Sequence, residues 1–541
     1  MKLQIDEEAA KTFIYPTNKE LRDYQFNIVK RALFSNTLVA LPTGLGKTFI
    51  AAVVILNYFN WFPQGKIIFV APTRPLVSQQ QMACHGICGL PWDVAVEMTG
   101  ATRAALRGDE WESKRIFYMT PQCFQNDLAG SVIDARDVCC VVVDEAHRAT
   151  GGYAYGNVIR YLTQRNPYFR VLALSATPGN KAEKVQEVVD NLHISNIEIR
   201  TEDALDIRKY VHKKLEMPVV VPLGGEVREV QQLWGKMMMP AHKAHLVHTA
   251  DPTMVHPFAV RQSLRDPKHR RFLSENKHFY SKLNELASMA QAMQYLTEHS
   301  VGMFHTRLLE YEGSKNVEKG GKVAASKKKT MMSDANADYR KIKVLLEKLT
   351  IRDGRFSHPK MWYLRDAVTA HFAGEREQGR ETRVMVFCSW RECVTEIVDY
   401  LNDQDGTDIR ATQFIGQSAD RQGRKGFKQS DQELVIHQFK KGFFNVIVAT
   451  SIGEEGLDIG EIDLIVCYEA VKDSVRMLQR VGRTGRKRDG KIIVLMSEGR
   501  EEKLWQQSKD NYKAVQQGIT TGLHLELFDD VPRLVPQHIT P

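Results

Sequence analysis

A chain of 541 residues, 43% hydrophobic and 26% charged, has material for three or four cores at ~150 residues each. No stretch reaches the ~18–20 uninterrupted apolar residues of a membrane span. The N-terminal MKLQIDEEAAKTF has neither a secretory core nor the Arg-rich, acid-free make-up of a transit peptide, so an intracellular multidomain protein without a membrane partner is expected. The 74 basic and 65 acidic residues leave a formal charge of +9, which leans towards a polyanionic partner without requiring one.

From about residue 35 to 200, the runs TLVALP, KIIFVAPT, RIFYMTPQ, VCCVVVDEAH and RVLALSATP alternate with helical stretches, the pattern of a parallel α/β sheet with crossover helices. Each run is apolar nearly throughout and ends in small or polar residues. Those residues therefore stand at the carboxyl ends of buried strands, where open α/β sheets bind ligands. A first lobe is expected over 1–206.

Within it, LPTGLGKT (41–48) matches a phosphate-binding loop, except that Leu41 stands where the usual pattern begins with glycine. Such a loop points backbone N–H groups and a helix N-terminus at phosphates. Gly44 and Gly46 allow close approach, Lys47 supplies charge and Thr48 a ligand for Mg²⁺. Leu41 precedes the cradling amides, so the pattern suffers more than the chemistry. Further on, VVVDEAH ends an apolar run in two acids. Asp144 is placed to hold Mg²⁺ through water, and Glu145 to polarise a water for in-line attack on a γ-phosphate; capping the next helix is the plainer alternative. The eight cysteines (84, 88, 123, 139, 140, 388, 393, 467) are scattered through apolar runs, and Cys84 with Cys88 has no second pair to complete a zinc site. Reduced thiols are expected.

Residues 207–355 lose the strand signal and show apolar residues at helical spacing, predicting a helical insert. Its basic stretch DPKHRRF offers Lys268, Arg270 and Arg271 as a duplex-gripping face or an ordinary solvated one. His242, His245 and His248 have an i, i+3, i+6 spacing, but helical metal pairs more often use i, i+4, and zinc is not expected. The segment 312–330 is read as a basic loop. The strand texture returns from 383 to 499, giving a second lobe over 356–505, interrupted by the polar stretch 416–432. There MLQRVGRTGRKRDG carries Arg483 and Arg486 three apart, a spacing suited to charge spread over a transferring phosphoryl group. The tail, 506–541, has acids and prolines in place of a third lobe and is expected to wrap back on the motor or to tether partners.

Taken together, LRDYQ, LPTGLGKT, APTRPLV, TPQ, DEAH, SAT, ATSIGEEGLDI and QRVGRTGR resemble, in order, the motifs of a superfamily 2 helicase, in which the first loop position is often not glycine. TFIYPTNKELRDYQ, DEAHRATGGYAYGNV, IEIRTEDALDIRKYV and RVGRTGRKRDGKI look more narrowly like the FANCM/Hef family of DNA translocases, particularly its fungal members. The resemblance implies two RecA-like parallel-sheet lobes with a helical insert between them. It implies ATP and Mg²⁺ as ligands, with Gln25 reading adenine and Leu41, Pro42, Thr43, Gly44, Leu45, Gly46, Lys47 and Thr48 around the phosphates. Asp458 and Gln479 would hold or sense the nucleotide, and His147, Ser175 and Thr177 would couple hydrolysis to motion. Arg74, Thr120, Gln122, Ser389, Arg391 and Thr450 would track a nucleic-acid strand.

The expected activity is ATP-dependent, 3′-to-5′ translocation on forked or branched DNA in the nucleus. Histone-fold partners would be held by regions that family members carry beyond the helicase part. RIG-I-like and Dicer helicases share such an insert, so a double-stranded RNA-dependent ATPase is one alternative. A non-catalytic, ATP-gated clamp is the other, although retention of Lys47, both acids and both arginines favours turnover.

Overall fold

The structure, a computed structural model, describes residues 3–100, 102–177, 179, 181–242, 251–313, 336–353, 358–403, 408–417, 426–454, 457–471, 474–485, 488–520 and 525–539. Its first sheet has seven strands: β1 (Thr37–Ala40), β2 (Lys66–Val70), β3 (Ala95–Met98), β4 (Ile116–Met119), β5 (Val138–Val143), β6 (Arg170–Ser175) and β7 (Asn196–Ile199). They run in the order β3-β4-β2-β5-β6-β1-β7, every pair parallel. Every residue of β1, β4, β5 and β6 is buried, because crossover helices cover both faces. The helix Lys47–Trp61 is itself apolar on most sides and buries ten of its fifteen residues. The order has a direct consequence for chemistry. Strands β5, β6 and β1 are adjacent, so the loops that leave them, DEAH, SAT and LPTGLGKT, meet at one edge.

The second sheet is also parallel throughout, in the order β10-β11-β9-β12-β13-β8. Its strands are β8 (Lys214–Val221), β9 (Val384–Phe387), β10 (Ala411–Phe414), β11 (Val446–Ala449), β12 (Leu464–Cys467) and β13 (Gly490–Ser497). Two parallel-sheet lobes are thus present, as the two sets of apolar runs predict. Strand β8 departs from the sequence reading, which gives 207–355 as a largely helical insert. It pairs with β13 over eight residues, from Lys214↔Gly490 to Val221↔Ser497. It is an edge strand, half exposed, and carries Pro218, which only an edge tolerates; such a strand lacks the continuous apolar signature of a buried one.

Beyond β8 the insert is helical: Gly225–His242, Pro257–Arg265, Pro267–Glu275, Lys277–Gln294, a π-helical turn Tyr295–His299, Val301–Gly313 and Ala337–Asp353. The helix Pro359–Glu377 then leads into β9. Trp234, Leu283, Leu286, Phe304, Tyr339 and Ile342 form the insert's core, continuous with Val384, Cys393 and Tyr468 of the second lobe. The insert is therefore built onto the second lobe. His245, His248 and most of the basic loop lie outside the described residues. All eight cysteines are free, and among the described residues no helix is long and apolar enough to cross a membrane.

The last helix, Arg500–Thr520, continues past residue 506, and 525–539 then pack on the first lobe. Phe528 stacks on His193 at 3.9 Å, Arg170 donates to the Pro532 carbonyl at 3.1 Å, and Leu534, Val535 and Ile539 are buried. Of the two expectations for the tail, wrapping back is what this segment does.

Candidate nucleotide site and inter-lobe cleft

Between β1 and the helix Lys47–Trp61, Gly44 and Gly46 adopt left-handed backbone, with φ of 88° and 77°. A Cβ on Gly46 would stand 2.2 Å from the Gln25 side-chain nitrogen and displace it, and the left-handed backbone favours glycine there. Gln25 Nε2 and the Tyr24 hydroxyl donate to the Leu45 carbonyl at 3.1 and 2.8 Å. Those bonds hold the loop against the helix Asp23–Ala32. Lys47 Nζ donates to the Leu41 carbonyl at 2.8 Å, which keeps the ammonium inside the loop. Leu41 itself is fully buried and contributes that carbonyl, so a side chain at this position does not obstruct the loop.

The hydroxyl of Thr48 donates to Gln80 Oε1 at 2.9 Å, and Gln80 Nε2 donates to Asp144 Oδ2 at 3.0 Å. One amide therefore spans the two groups expected to serve Mg²⁺. Burial, reinforced by the adjacent Glu145, pushes the Asp144 carboxyl up to about 7. Two neighbouring acids on a buried strand end call for a cation, and the paired hydroxyl, amide and carboxylate form an oxygen-rich donor set of the kind Mg²⁺ takes. The glycine cradle and this donor set fit a nucleotide with its metal. Glu145 sits at φ 48°, unusual for a residue with a side chain, a form of strain that clusters at functional sites. Its Oε2 lies 3.3 Å from His147 Nδ1. The same ring nitrogen lies 3.1 Å from Ser175 Oγ, and Thr177 bonds back to Ser175 and Gly179. DEAH and SAT are thereby joined, and Tyr155 donates to the Asp144 carbonyl at 2.7 Å to fix the turn.

The second lobe meets this face at two described points. Gln479 Nε2 lies 3.5 Å from His147 Nε2, and the Asp458 backbone N–H donates to Gln79 Oε1 at 2.7 Å. Asp458 is otherwise exposed and paired with Lys440 at 2.6 Å. Arg483 is buried and donates to the Leu457 carbonyl within its own lobe. Arg486 lies outside the described residues.

A cleft of about 600 Å³ separates the lobes, lined by Arg74 and Thr120 from the first and by Ser389, Arg391 and Thr450 from the second. Arg74 opens the helix Arg74–Cys88, Thr120 precedes the helix Pro121–Ala129, and Arg391 opens the helix Arg391–Asn402. Five of the six predicted track residues thus share one cavity. Gln122 is exposed beside it but does not line it. Lys268 is exposed on the insert helix Pro267–Glu275; Arg270 and Arg271 belong to that helix, with side chains outside the described residues. Four further glutamines, Gln79, Gln80, Gln417 and Gln429, are not among the residues that sequence reasoning singles out. Gln417 and Gln429 line the cleft, while Gln79 and Gln80 link it to the nucleotide face. The signal for the last two is the polar triplet in VSQQQ, on a helix that buries Leu76, Val77 and Cys84.

A DEAD/DEAH box helicase model matches residues 22–185, and a helicase conserved C-terminal domain model matches 360–488. The helicase domain of Hef from Pyrococcus furiosus superposes with a TM-score of 0.66 at 31% identity, over 90% of this chain and 97% of that one. The chain belongs to the FANCM/Hef family of superfamily 2 helicases. Fungal relatives of this FANCM/Hef chain include the ATP-dependent DNA helicase mph1 of Neurospora crassa, 43% identical over 99% of this chain and 46% of that protein. The ATP-dependent DNA helicase fml1 of Schizosaccharomyces pombe is 42% identical over 99% of this chain and 64% of that protein. The chain spans about half the length of the mph1 relatives.

Proposed function

We propose that this chain is an ATP-dependent motor that moves on DNA, acting on forked and branched structures in genome maintenance in the nucleus, with 3′-to-5′ polarity. The observation that carries the reading is the helix Arg74–Cys88. It opens on the cleft with Arg74, touches the second lobe through Gln79 and spans Thr48 and Asp144 through Gln80. Nucleic acid, lobe position and nucleotide face are thus joined by one rigid element. ATP with Mg²⁺ supplies the free energy of phosphoryl transfer when bound. Lys47 and the loop amides would hold the phosphates, and Thr48 and, through water, Asp144 would hold the metal. Glu145 orients water, and Arg483 and Arg486 complete the site when the lobes draw together. Strand contacts through Arg74, Arg391 and the hydroxyls of Thr120, Ser389 and Thr450 are to phosphates, hence independent of sequence and weakened by salt. The insert, with Lys268, Arg270 and Arg271, grips the duplex beside the junction. Histone-fold partners, as family resemblance implies, bind outside this chain.

The test is ATPase activity with forked DNA, single-stranded DNA and double-stranded RNA. Forked DNA should stimulate most, and reversing the three insert charges should weaken that DNA's binding and flatten its salt dependence. Stronger stimulation by the RNA would overturn the DNA assignment. Glu145→Gln should lower turnover by ~10²–10⁴-fold with nucleotide binding kept; full turnover in that variant would count against catalysis at this site and favour a clamp.

A further inference from the structure

Where the insert joins the second lobe, the helix Lys277–Gln294 runs into the π-helical turn Tyr295–His299, a distortion that proteins keep mostly where function requires it. The turn delivers His299, 2% exposed, into the second lobe. Its carbonyl accepts from the Tyr468 hydroxyl at 3.0 Å. The Trp390 indole nitrogen, which can only donate, stands 3.1 Å from His299 Nε2, so that nitrogen accepts and a neutral ring carries its proton on Nδ1. Nδ1 lies 2.9 Å from Glu469 Oε2. With Cys388 these residues have the make-up of a metal cluster, but a ring protonated at one nitrogen and accepting at the other has no lone pair left for an ion.

Glu469, 4% exposed at the end of β12, faces three elements. Besides His299, its Oε1 accepts from the Ser389 hydroxyl, and Arg480 stands 3.8 Å away. Ser389 and Arg391 line the cleft on either side of Trp390. Arg480 is fully buried, its guanidinium over the Phe387 ring at 5.1 Å, one turn before Arg483 on the arginine-bearing segment. Burial raises the Glu469 carboxyl, and its neighbours His299, Arg480 and Ser389 bring it below the usual carboxylate range; it is a charged centre bonded to Ser389 and standing beside the other two.

We propose that His299, acting through Glu469, is a positioning residue that transmits the seating of the insert to the Ser389–Arg391 turn of the cleft and to the helix that carries the arginines. This deepens the motor reading and rests on it: DNA held by the insert sets the turnover rate through a buried contact, with no direct touch on the nucleotide.

The test compares DNA-free and fork-stimulated ATPase of the whole chain, with apparent KM for fork DNA measured alongside. His299→Leu should lower the maximal stimulated rate by about tenfold, within the usual range of coupling between sites. DNA-free turnover and KM for DNA should stay within about twofold. His299→Gln, which keeps one donor and one acceptor, should retain most of the stimulation. Undiminished stimulation in His299→Leu, or a parallel fall of DNA-free and stimulated rates in both variants, would overturn the proposal. Should His299→Leu fail to fold, Glu469→Gln decides: it keeps the shape and removes the charge facing Arg480, and full stimulation in it is the overturning result. A wild-type chain that no nucleic acid stimulates refutes the motor reading itself, and that measurement precedes any variant.

Discussion

In the first lobe the polar side chains of the nucleotide face are bonded to one another across short distances: Lys47 to its loop, Thr48 to Gln80, Gln80 to Asp144, His147 to Ser175. In the second, Gln479 and the Asp458 N–H reach across to His147 and Gln79, while Arg483 is bonded to the Leu457 carbonyl of its own lobe. Arg480 lies beneath Glu469. One half-site is assembled by a continuous sheet edge; the other is set by an internal charge network that also anchors the insert. The difference teaches where control resides. On the proposed reading, the preformed half fixes what is bound, and the placement of Arg483 by the second lobe fixes when turnover runs.

Arg483→Ala gives the largest expected effect on this contrast. Turnover should fall by about 10³-fold, in the range for a charge-stabilising arginine, with nucleotide affinity nearly unchanged in a fluorescent-nucleotide titration. Equal loss of both would mean that the second lobe contributes to binding and would dissolve the distinction. Next is Lys360, fully buried, whose Nζ donates to the Glu298 and Tyr468 carbonyls at 3.0 Å each and pairs with Glu501 at 2.5 Å. Lys360→Met leaves the buried Glu501 carboxylate without its cation, held by the Ala470 and Ser497 N–H groups, and should cost about 3 kcal/mol, read as a lower Tm of the second lobe. Lys360→Met with Glu501→Leu should recover most of it.

The smallest effect is at Glu396, which accepts from Ser300 at the insert junction. Burial, with Glu392 and Asp399 nearby, pushes its carboxyl up to about 7. The folded state then holds a proton that the unfolded chain releases near 4.5, so stability is greatest below that pH and falls as pH rises towards 7. Glu396→Gln should remove that dependence, seen as a flatter Tm between pH 5 and 8; an unchanged profile would place the proton elsewhere.

Much of the first half-site was legible because its chemistry is local. A strand, a turn with glycines and a helix start are encoded within LPTGLGKT, and two acids at the end of VVVDEAH need only the strand to place them. The bridging role of Gln80 was not legible, since it depends on a helix packing across the sheet edge. Strand β8 was missed because an exposed edge with a proline has no buried strand's composition. The orientation of Arg483 follows from how its lobe is packed, which spacing along the chain does not encode.

The return of residues 525–539 to the first lobe has a mechanical meaning. Chain crosses from one sheet to the other between β7 and β8, and after β13 it is back on the first lobe by residues 525–539. A body pinned at two points turns about the line that joins them. In the motor proposed above, the second lobe, carrying the insert as a lever, would therefore be guided along one arc by these two crossings.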